Sequence, residues 1–437
     1  MRKSISEFFK YVSFSVMGMV GISCYILADT FFVANGLGAA GLTALNLAIP
    51  VYNFINGCGL MLGMGGATRF SIAMAAGDEA KGRRIFTNAI YAVCAAALIF
   101  VTMGLLFSQQ ITGMLGADEV AFQMTNTYLR VLLLFSPAFL LNNILLCFVR
   151  NDGNPGLPML AMLGGSVANI VLDYVFIFPL HMGIFGAVLA TGIAPVISIS
   201  ILSPHFLSGK CGFGFRKEKL DIKLIGGFVS TGFSSFVAEV STGIVMIVFN
   251  IIILNLMGNI GVAAYGVIAN IALVVLAVFT GIGQGTQPVV SQAYGKGEMK
   301  KTHFYLFLGA ASAVVTACAI YLAVSLFAEP ITSAFNSEGN PVLQSIAEEG
   351  LRLYFLYAPF AGFNIVLATF FASVQKNGFA QAISMLRGII LIIPAVFILS
   401  NLYGMTGVWL AFPVVETAVM MCGIGLYLKM SGQTTGR

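Results

Sequence analysis

"YLRVLLLFSPAFLLNN" at residues 128–143 and "GLRLYFLYAPFAGFNI" at residues 350–365 are two versions of one apolar segment. Both have Leu-Arg at their second and third positions, a proline at the tenth and an asparagine at the fifteenth. A single match of this kind arises by chance in apolar helices. An ordered series of matches at a nearly constant spacing would instead predict that one half of the chain repeats the other.

The composition indicates a chain whose solvent is lipid. Of the 437 residues 58% are hydrophobic and only 9% are charged, and the mean hydropathy is +0.94, whereas soluble domains are about 25% charged. The apolar runs have the length of about 20 residues that a helix needs to cross the hydrocarbon. They do not alternate over about 10 residues as barrel strands do.

Twelve membrane spans are predicted, with both chain ends on the inner side. The predicted spans are 8–34, 42–75, 86–108, 120–148, 157–179, 183–204, 224–255, 260–292, 304–328, 342–374, 380–400 and 404–428. With this orientation every Lys and Arg falls in an inner loop or tail, except Arg69, Arg130, Arg352 and Arg387, which lie within spans or at their ends. Cytoplasmic loops of membrane proteins carry such an excess. The net charge of +5 is thereby explained without a nucleic-acid partner.

The repeat extends beyond the opening segment. A shift of 220 residues places Gly38 on Gly258 and Gly77 on Gly297, and a shift of 221 places Gly183 on Gly404. Since six spans return the chain to the same side, the repeat is parallel. We therefore predict an all-α membrane protein of two six-helix lobes, 1–204 and 224–437, joined by a cytoplasmic linker, 205–223. Repeats packed about a midplane cavity are how many transporters achieve alternating access.

Several segments resemble the MATE (multidrug and toxic compound extrusion) family, and nearly the whole chain takes part in this resemblance. They include "DTFFVANGLGAAGLTALNLAIPV", "GMGGATRFSIAMAAGDEAKGRRIFTNAI", "NIVLDYVFIFPLHMGIFGAVLAT" and "GQGTQPVVSQAYGKG". "LRGIILIIPAVFI" and "GVWLAFPVVE" resemble its MepA-like branch. The resemblance implies a cation-driven antiporter that exports amphipathic organic cations, with no enzymatic activity.

Four acidic residues lie within the predicted spans: Asp29, Asp173, Glu239 and Glu416. An ionisable side chain inside a membrane is costly and marks a functional candidate, although a structurally paired acid remains the alternative. Asp29, Asp173 and Thr191 are predicted at one depth, roughly 9–12 Å below the outer surface at 1.5 Å per residue. Asn169 is one helical turn from Asp173.

These four side chains suit a hard monovalent cation or a shared proton. The resemblance implies the same set, because the first-lobe site of the family uses an aspartate of span 1, Asn-x-x-x-Asp of span 5 and a threonine of span 6. The repeat places Phe249, Ile390 and Pro394 on Asp29, Asn169 and Asp173. The second lobe has therefore lost this site.

The second lobe offers fewer ion ligands. Glu239 resembles a span-7 glutamate of some MATE proteins, and Asn364 stands where those members carry a further aspartate, so a second ion site there remains open. Glu416 is predicted at the depth of Arg387, which favours a structural ion pair.

An organic cation calls for an aromatic, adaptable cavity, and Phe31, Tyr52, Phe139 and Met162 are candidates for its lining, with ordinary packing as the alternative. The repeated prolines Pro137 and Pro359 are candidate hinges, with a static kink as the alternative.

Other classes of function fit less well. The glycine-rich runs lack the lysine and the strand–helix context of a phosphate loop, so no nucleotide is expected. The histidines and cysteines form no metal-ligand pattern in the sequence. We expect no cofactor and no metal beyond a possible Na⁺ at the first-lobe site, a monomer in the cell inner membrane, and small organic cations as substrates. The alternative is a flippase of a lipid-linked or other amphiphilic substrate, and the choice between H⁺ and Na⁺ stays open.

Overall fold

The computed structural model describes residues 2–207, 211–336 and 339–435, and in this part of the chain it is helical with short turns. The helices are α1 (Arg2–Ala75), α2 (Glu79–Leu106), α3 (Ser108–Met114), α4 (Glu119–Leu134), α5 (Ser136–Asn151), α6 (Gly156–Ile177), α7 (Gly183–Leu207), α8 (Ile222–Gly295), α9 (Met299–Leu326), α10 (Ala328–Phe335), α11 (Pro341–Tyr354), α12 (Ala358–Ser373), α13 (Asn377–Met385) and α14 (Ile392–Thr435). A 3₁₀ turn (Phe355–Tyr357) joins α11 to α12, and a π-helical turn (Leu386–Ile390) joins α13 to α14.

The long helices account for twelve membrane crossings. Eight helical stretches are long and apolar enough to cross a membrane, and the bent pair α4–α5 makes nine, within the part of the chain that the structure describes. Three of the nine contain a glycine with non-helical angles: Gly38 in α1, Gly258 in α8 and Gly404 in α14. Each of these three stretches supplies two crossings, so the predicted twelve spans and all-α class are confirmed.

The predicted loop between spans 1 and 2 is absent, because one residue reverses the chain. Gly38 has φ 67° and ψ −159° inside an otherwise helical stretch. Val12 and Ile72, far apart along α1, both contact the last part of α8, at Gly285 and Gly295. Glycine adopts a positive φ without the penalty that a Cβ imposes, so a single residue replaces a loop.

The backbone repeats as the sequence does. Of the eleven described residues with positive φ, all but His181 occur in matching pairs in the two lobes: Gly38 and Gly258 (67° and 63°), Gly77 and Gly297 (82° and 74°), Gly116 and Gly339 (79° and 63°), Gly153 and Gln375 (89° and 57°), and Gly183 and Gly404 (61° and 59°). Each pair marks the same connection between successive spans. The parallel internal repeat is therefore visible in the backbone of the turns. A shared apolar composition alone would not produce this agreement.

The lobes meet at one end of the bundle, which we call the linker end because it carries the segment 211–221 and the start of α1. There the backbones of α1 and α8 approach closely where glycine leaves room. A Cβ on Gly65 would lie 2.0 Å from the carbonyl oxygen of Phe228, and one on Gly232 would lie 1.9 Å from that of Met61. Nearer the bundle centre, the rings of Phe54 and Phe236 pack 5.3 Å apart.

Residues 211–221 of the linker are held against the first lobe. Phe213 is buried among the rings of Phe70, Phe86 and Phe148. The backbone nitrogen of Asp221 donates to Asn88 Oδ1 (2.8 Å), and Arg84 forms an ion pair with Asp221 (2.8 Å). Aromatic packing and hydrogen bonds therefore fix the connection between the lobes along the first of them.

Candidate ion and substrate site

Asp29, Asn169, Asp173 and Thr191 converge inside the first lobe. Their exposed fractions are 7%, 0%, 0% and 5%. The Asn169 carboxamide, turned to satisfy both neighbours, donates from its nitrogen to Asp173 Oδ2 (3.0 Å) and accepts from the backbone nitrogen of Thr191 (3.3 Å). The side chains of Asp29 and Asp173 lie within hydrogen-bonding reach of each other.

Glycine allows the three helices that carry these residues to pack closely. On α1, Gly18 and Gly21 face Met162 and Leu163 of α6. On α6, Gly165 faces the backbone of Ala194 in α7. Asn169 and Asp173 are four residues apart on α6 and share the face between α1 and α7. Through this face α6 brings Asp173 to Asp29 of α1 and Asn169 to Thr191 of α7.

Two adjacent carboxyl groups cannot both be ionised without a charge between them. Oδ1 of Asp29 and Oδ1 of Asp173 are buried and have no hydrogen-bond partner. Such unpartnered oxygens are free to hold a proton or to bind a hard cation, which prefers oxygen ligands. The residues present therefore fit either coupling ion, and burial keeps bulk water from replacing it.

Two tyrosines near the aspartates, Tyr25 and Tyr128, were missed by the sequence analysis, which named Tyr52 only for the cavity lining. Tyr25, one turn before Asp29 on α1, exchanges a hydroxyl hydrogen bond of 2.9 Å with Tyr52. The Tyr128 side chain lies beside the Thr191 side chain, and Tyr128 is 3% exposed. The available signal was the repeat, since Tyr128 begins the opening segment where the second lobe has Gly350.

The matching place in the second lobe is filled by aromatic rings. Phe249, which corresponds to Asp29, is fully buried and packs 5.7 Å from Tyr265 and 5.3 Å from Phe412. Tyr265 in turn stacks on Trp409 at 6.4 Å. Ile390 and Pro394 stand where the first lobe has its polar pair. The fold is retained there, but aromatic and aliphatic side chains occupy the positions of Asp29, Asn169 and Asp173.

The two members of the suggested second-lobe site have different polar neighbours. Glu239 lies at the lobe interface beside the Asn56 side chain of α1. Asn364 donates to Glu416, to its backbone oxygen (2.9 Å) and to Oε2 (2.7 Å). Within the described residues no hydrogen bond joins Glu239 to Asn364. Glu239 and Asn364 therefore take part in two different sets of polar contacts.

Glu416 forms the ion pair with Arg387 that its depth indicated. Arg387 Nη2 lies 2.6 Å from Glu416 Oε1, and Arg387 Nε donates to both carboxylate oxygens at 3.1 and 3.3 Å. Glu416 is 1% exposed. Arg387 lies in the π-helical turn, where one extra residue in the turn bulges the helix. The charges are satisfied internally, as a pair inside an apolar lobe requires.

The four residues suggested for the cavity lie in different surroundings. Phe31 is 62% exposed, whereas Phe139 and Met162 are buried in the first-lobe core. Tyr52 packs edge-on against Phe139, with ring centroids 5.6 Å apart. Phe31 is thus the most exposed of the four, and Tyr52 and Phe139 pack together next to Tyr25.

Both hinge candidates begin a helix after a break in their span. Pro137 is the second residue of α5, which is bent by 48° from α4. Pro359 is the second residue of α12, after the 3₁₀ turn Phe355–Tyr357. Proline fits the first turn of a helix because its missing N–H has no partner there. The kinks are present, and motion at them stays a prediction.

Two histidines that form no metal-ligand pattern in the sequence have side-chain partners in the structure. His205 has Nε2 2.8 Å from Asp152 Oδ2, with Cys211 beside the pair. His303 also has a partner, the Tyr427 hydroxyl at 2.9 Å. The residues that approach His205 are 53 positions before it and 6 after it, so only the fold brings them together.

Comparison with known proteins gives a consistent family. The MatE family model matches residues 15–175 and 235–398. The multidrug export protein MepA of Staphylococcus aureus (strain MRSA252) is 25% identical over 425 residues, which are 95% of this chain and 91% of that protein.

Solved structures share the fold. One is the outward-facing conformation of a multidrug resistance MATE family transporter of the MOP superfamily, with a TM-score of 0.91, 22% identity and coverage of 98% of this chain and 96% of that one. Another is a MOP superfamily transporter from Pyrococcus furiosus Vc1 (DSM3638), described by the reverse polarity of its binding pocket, with a TM-score of 0.89, 22% identity and coverage of 99% and 96%. The family model covers most of the chain in both lobes, and the chain therefore belongs to the MatE family of membrane transporters.

Proposed function

We propose that this transporter exports amphipathic organic cations in exchange for H⁺ or Na⁺. The buried pair Asp29–Asp173, with Asn169 and Thr191, carries the proposal. Its unpartnered oxygens bind the coupling ion, and its net charge changes when that ion leaves. Coupling follows if ion and drug each favour a different arrangement of the same two lobes.

Alternating access provides the two arrangements. The lobes are 1–204 and 224–437, joined by 205–223, and they touch at the linker end through α1 and α8. With the positive-inside orientation the linker end is cytoplasmic, so the structure corresponds to an outward-facing state. Drug release to the outside then precedes entry of the ion into the first lobe.

The substrate class rests on charge and surface chemistry. Phe31 presents an exposed ring on α1, and Glu239 places a carboxylate at the lobe interface near Asn56. An aromatic face and a carboxylate attract a cation with an apolar body. The name of the S. aureus relative, a multidrug export protein, supports the same class.

Transport in proteoliposomes with separately imposed pH and Na⁺ gradients tests the proposal. We expect one of the two gradients to drive accumulation of a fluorescent cation such as ethidium. The double variant Asp29→Asn/Asp173→Asn should remove that dependence, whereas Asp118→Asn, which retains its helix-capping side chain in a connecting loop, should not.

Two outcomes would contradict the proposal. Cation transport that neither gradient drives would remove the antiport mechanism. Movement of a labelled amphiphilic lipid without cation transport would favour the flippase alternative instead.

A further inference from the structure

Asp152, His205 and Cys211 form a cluster at the linker end, outside the ion and substrate site. Asp152 follows the last residue of α5, His205 lies in the last turn of α7, and Cys211 is in the linker. One ligand-type atom of each lies within 4.8 Å of the other two, and His205 Nε2 is 2.8 Å from Asp152 Oδ2. Within residues 2–207, 211–336 and 339–435 no other three His, Cys, Asp or Glu side chains approach so closely.

The surroundings hold these side chains in place. The His205 and Asp152 side chains are only 10% and 11% exposed. Rings of Phe206 and Phe213 lie 6.1 and 5.9 Å from the imidazole. Asp152 Oδ2 also accepts from the backbone nitrogen of Gly212 (2.9 Å), which fixes the turn next to Cys211. Apolar walls and a fixed carboxylate are typical of a prepared ligand site.

We infer that Asp152, His205 and Cys211 bind a divalent transition metal of the Zn²⁺ type. Carboxylate oxygen, imidazole nitrogen and thiolate sulfur are the ligands of Zn²⁺ in proteins, and three of them leave a fourth position for water. A carboxylate and a thiolate balance two positive charges, with the imidazole neutral. The metal displaces the thiol proton, as metals do on coordinating thiols.

The bound metal would tie three segments together. It would join the end of α5, the end of α7 and the start of the linker at the first lobe. Without metal, the hydrogen bonds of Asp152 hold the same segments together more weakly. Substitutions at Cys211 and His205 distinguish metal binding from hydrogen-bonded anchoring, because their metal-binding atoms can be removed while a hydrogen bond to Asp152 is kept.

Cobalt and zinc binding to the purified protein tests the inference without any transport measurement, so its outcome is independent of the proposed function. The full chain, carrying no polyhistidine tag, is reduced, treated with chelator and reconstituted in nanodiscs. Added Co²⁺ should give the near-ultraviolet absorption of a cobalt–thiolate bond. Calorimetry with Zn²⁺ should give one site per chain, and Zn²⁺ should displace the cobalt signal.

Conservative variants separate ligation from anchoring. Cys211→Ser and His205→Gln each retain a hydrogen-bond donor for Asp152. We expect Cys211→Ser to abolish the cobalt–thiolate band, and each variant to weaken Zn²⁺ binding at least about tenfold, the smallest effect seen when even an outer partner of a metal ligand is lost. The controls Cys422→Ser and His303→Gln, a remote cysteine and histidine, should bind as the wild type does.

Either of two results would contradict the inference of a metal site. Absence of a cobalt–thiolate band in the wild-type protein, or a band that survives Cys211→Ser, would show that the cluster is a hydrogen-bonded anchor only. Elution of every variant as one symmetrical species confirms that the comparison is made on folded protein.

Discussion

At the scale of single residues, the two aspartates of the first lobe differ from every other acid that the structure describes in having unpartnered, buried oxygens close to a second carboxyl group. Asp173→Asn keeps the shape and the Asn169 contact but cannot exchange a proton or balance a cation. We expect this variant to lose gradient-driven efflux of ethidium while inserting normally, because removing an ionisable group from a span eases insertion. Asp29→Asn should behave in the same way.

The measurement is efflux normalised to the amount of membrane-inserted protein, with Asp118→Asn as the matched control. Efflux at the wild-type rate from Asp173→Asn would mean that this carboxyl group has a structural role only.

A second residue-scale prediction concerns Arg387 and Glu416. Glu416→Leu leaves the guanidinium in the lobe without its carboxylate, and breaking a buried pair in this way costs about 3–5 kcal/mol. Glu416→Gln keeps one acceptor and should cost less. The double variant Arg387→Met/Glu416→Leu removes both charges and should recover most of the stability.

Thermal unfolding in detergent measures these differences. If Glu416→Leu unfolds at the wild-type temperature yet transports poorly, the pair belongs to the transport mechanism and is not a structural ion pair.

At the scale of elements, the contact between α1 and α8 depends on glycine. A Cβ on Gly65 would overlap the Phe228 carbonyl oxygen, which is backbone and cannot rotate away. Gly65→Ala should therefore disfavour closure of the linker end by about 1–3 kcal/mol, the usual cost of overpacking. The transporter should shift toward an arrangement that is open at this end.

Spin labels at Ala76 and Lys296, exposed positions at the ends of α1 and α8, report the distance across the linker end. Their separation should increase in Gly65→Ala. The control is Gly226→Ala on α8, where a Cβ meets open space. An unchanged distance in Gly65→Ala would show that the lobes do not close by this contact.

At the scale of the whole molecule, the placement of Lys and Arg predicts that the linker end faces the cytoplasm. A single cysteine at Leu180, in the exposed turn between α6 and α7, should react with a membrane-impermeant maleimide in intact cells. A cysteine at Lys217 in the linker should react only after permeabilisation. The reverse labelling pattern would invert the orientation and make the structure an inward-facing state.

The sequence by itself determined the class, the number of spans and the repeat, and it predicted the four residues that lie together in the first lobe. These features follow from composition and from spacing along single helices, as for Asn169 and Asp173, or from matched landmarks such as Gly38 and Gly258. The length of an apolar run and the positions of Lys and Arg are local properties of the chain. They can therefore be read from the sequence without knowing which helices contact each other.

Only the tertiary structure decided which distant side chains meet. It placed Tyr128 beside Thr191, paired Asn364 with Glu416, and brought Asp152, His205 and Cys211 together. It also replaced a predicted loop by the single residue Gly38. Contacts between helices depend on their rotation and approach, which are set by the packing of glycines against whole side chains on neighbouring helices, and no spacing within one segment contains that information.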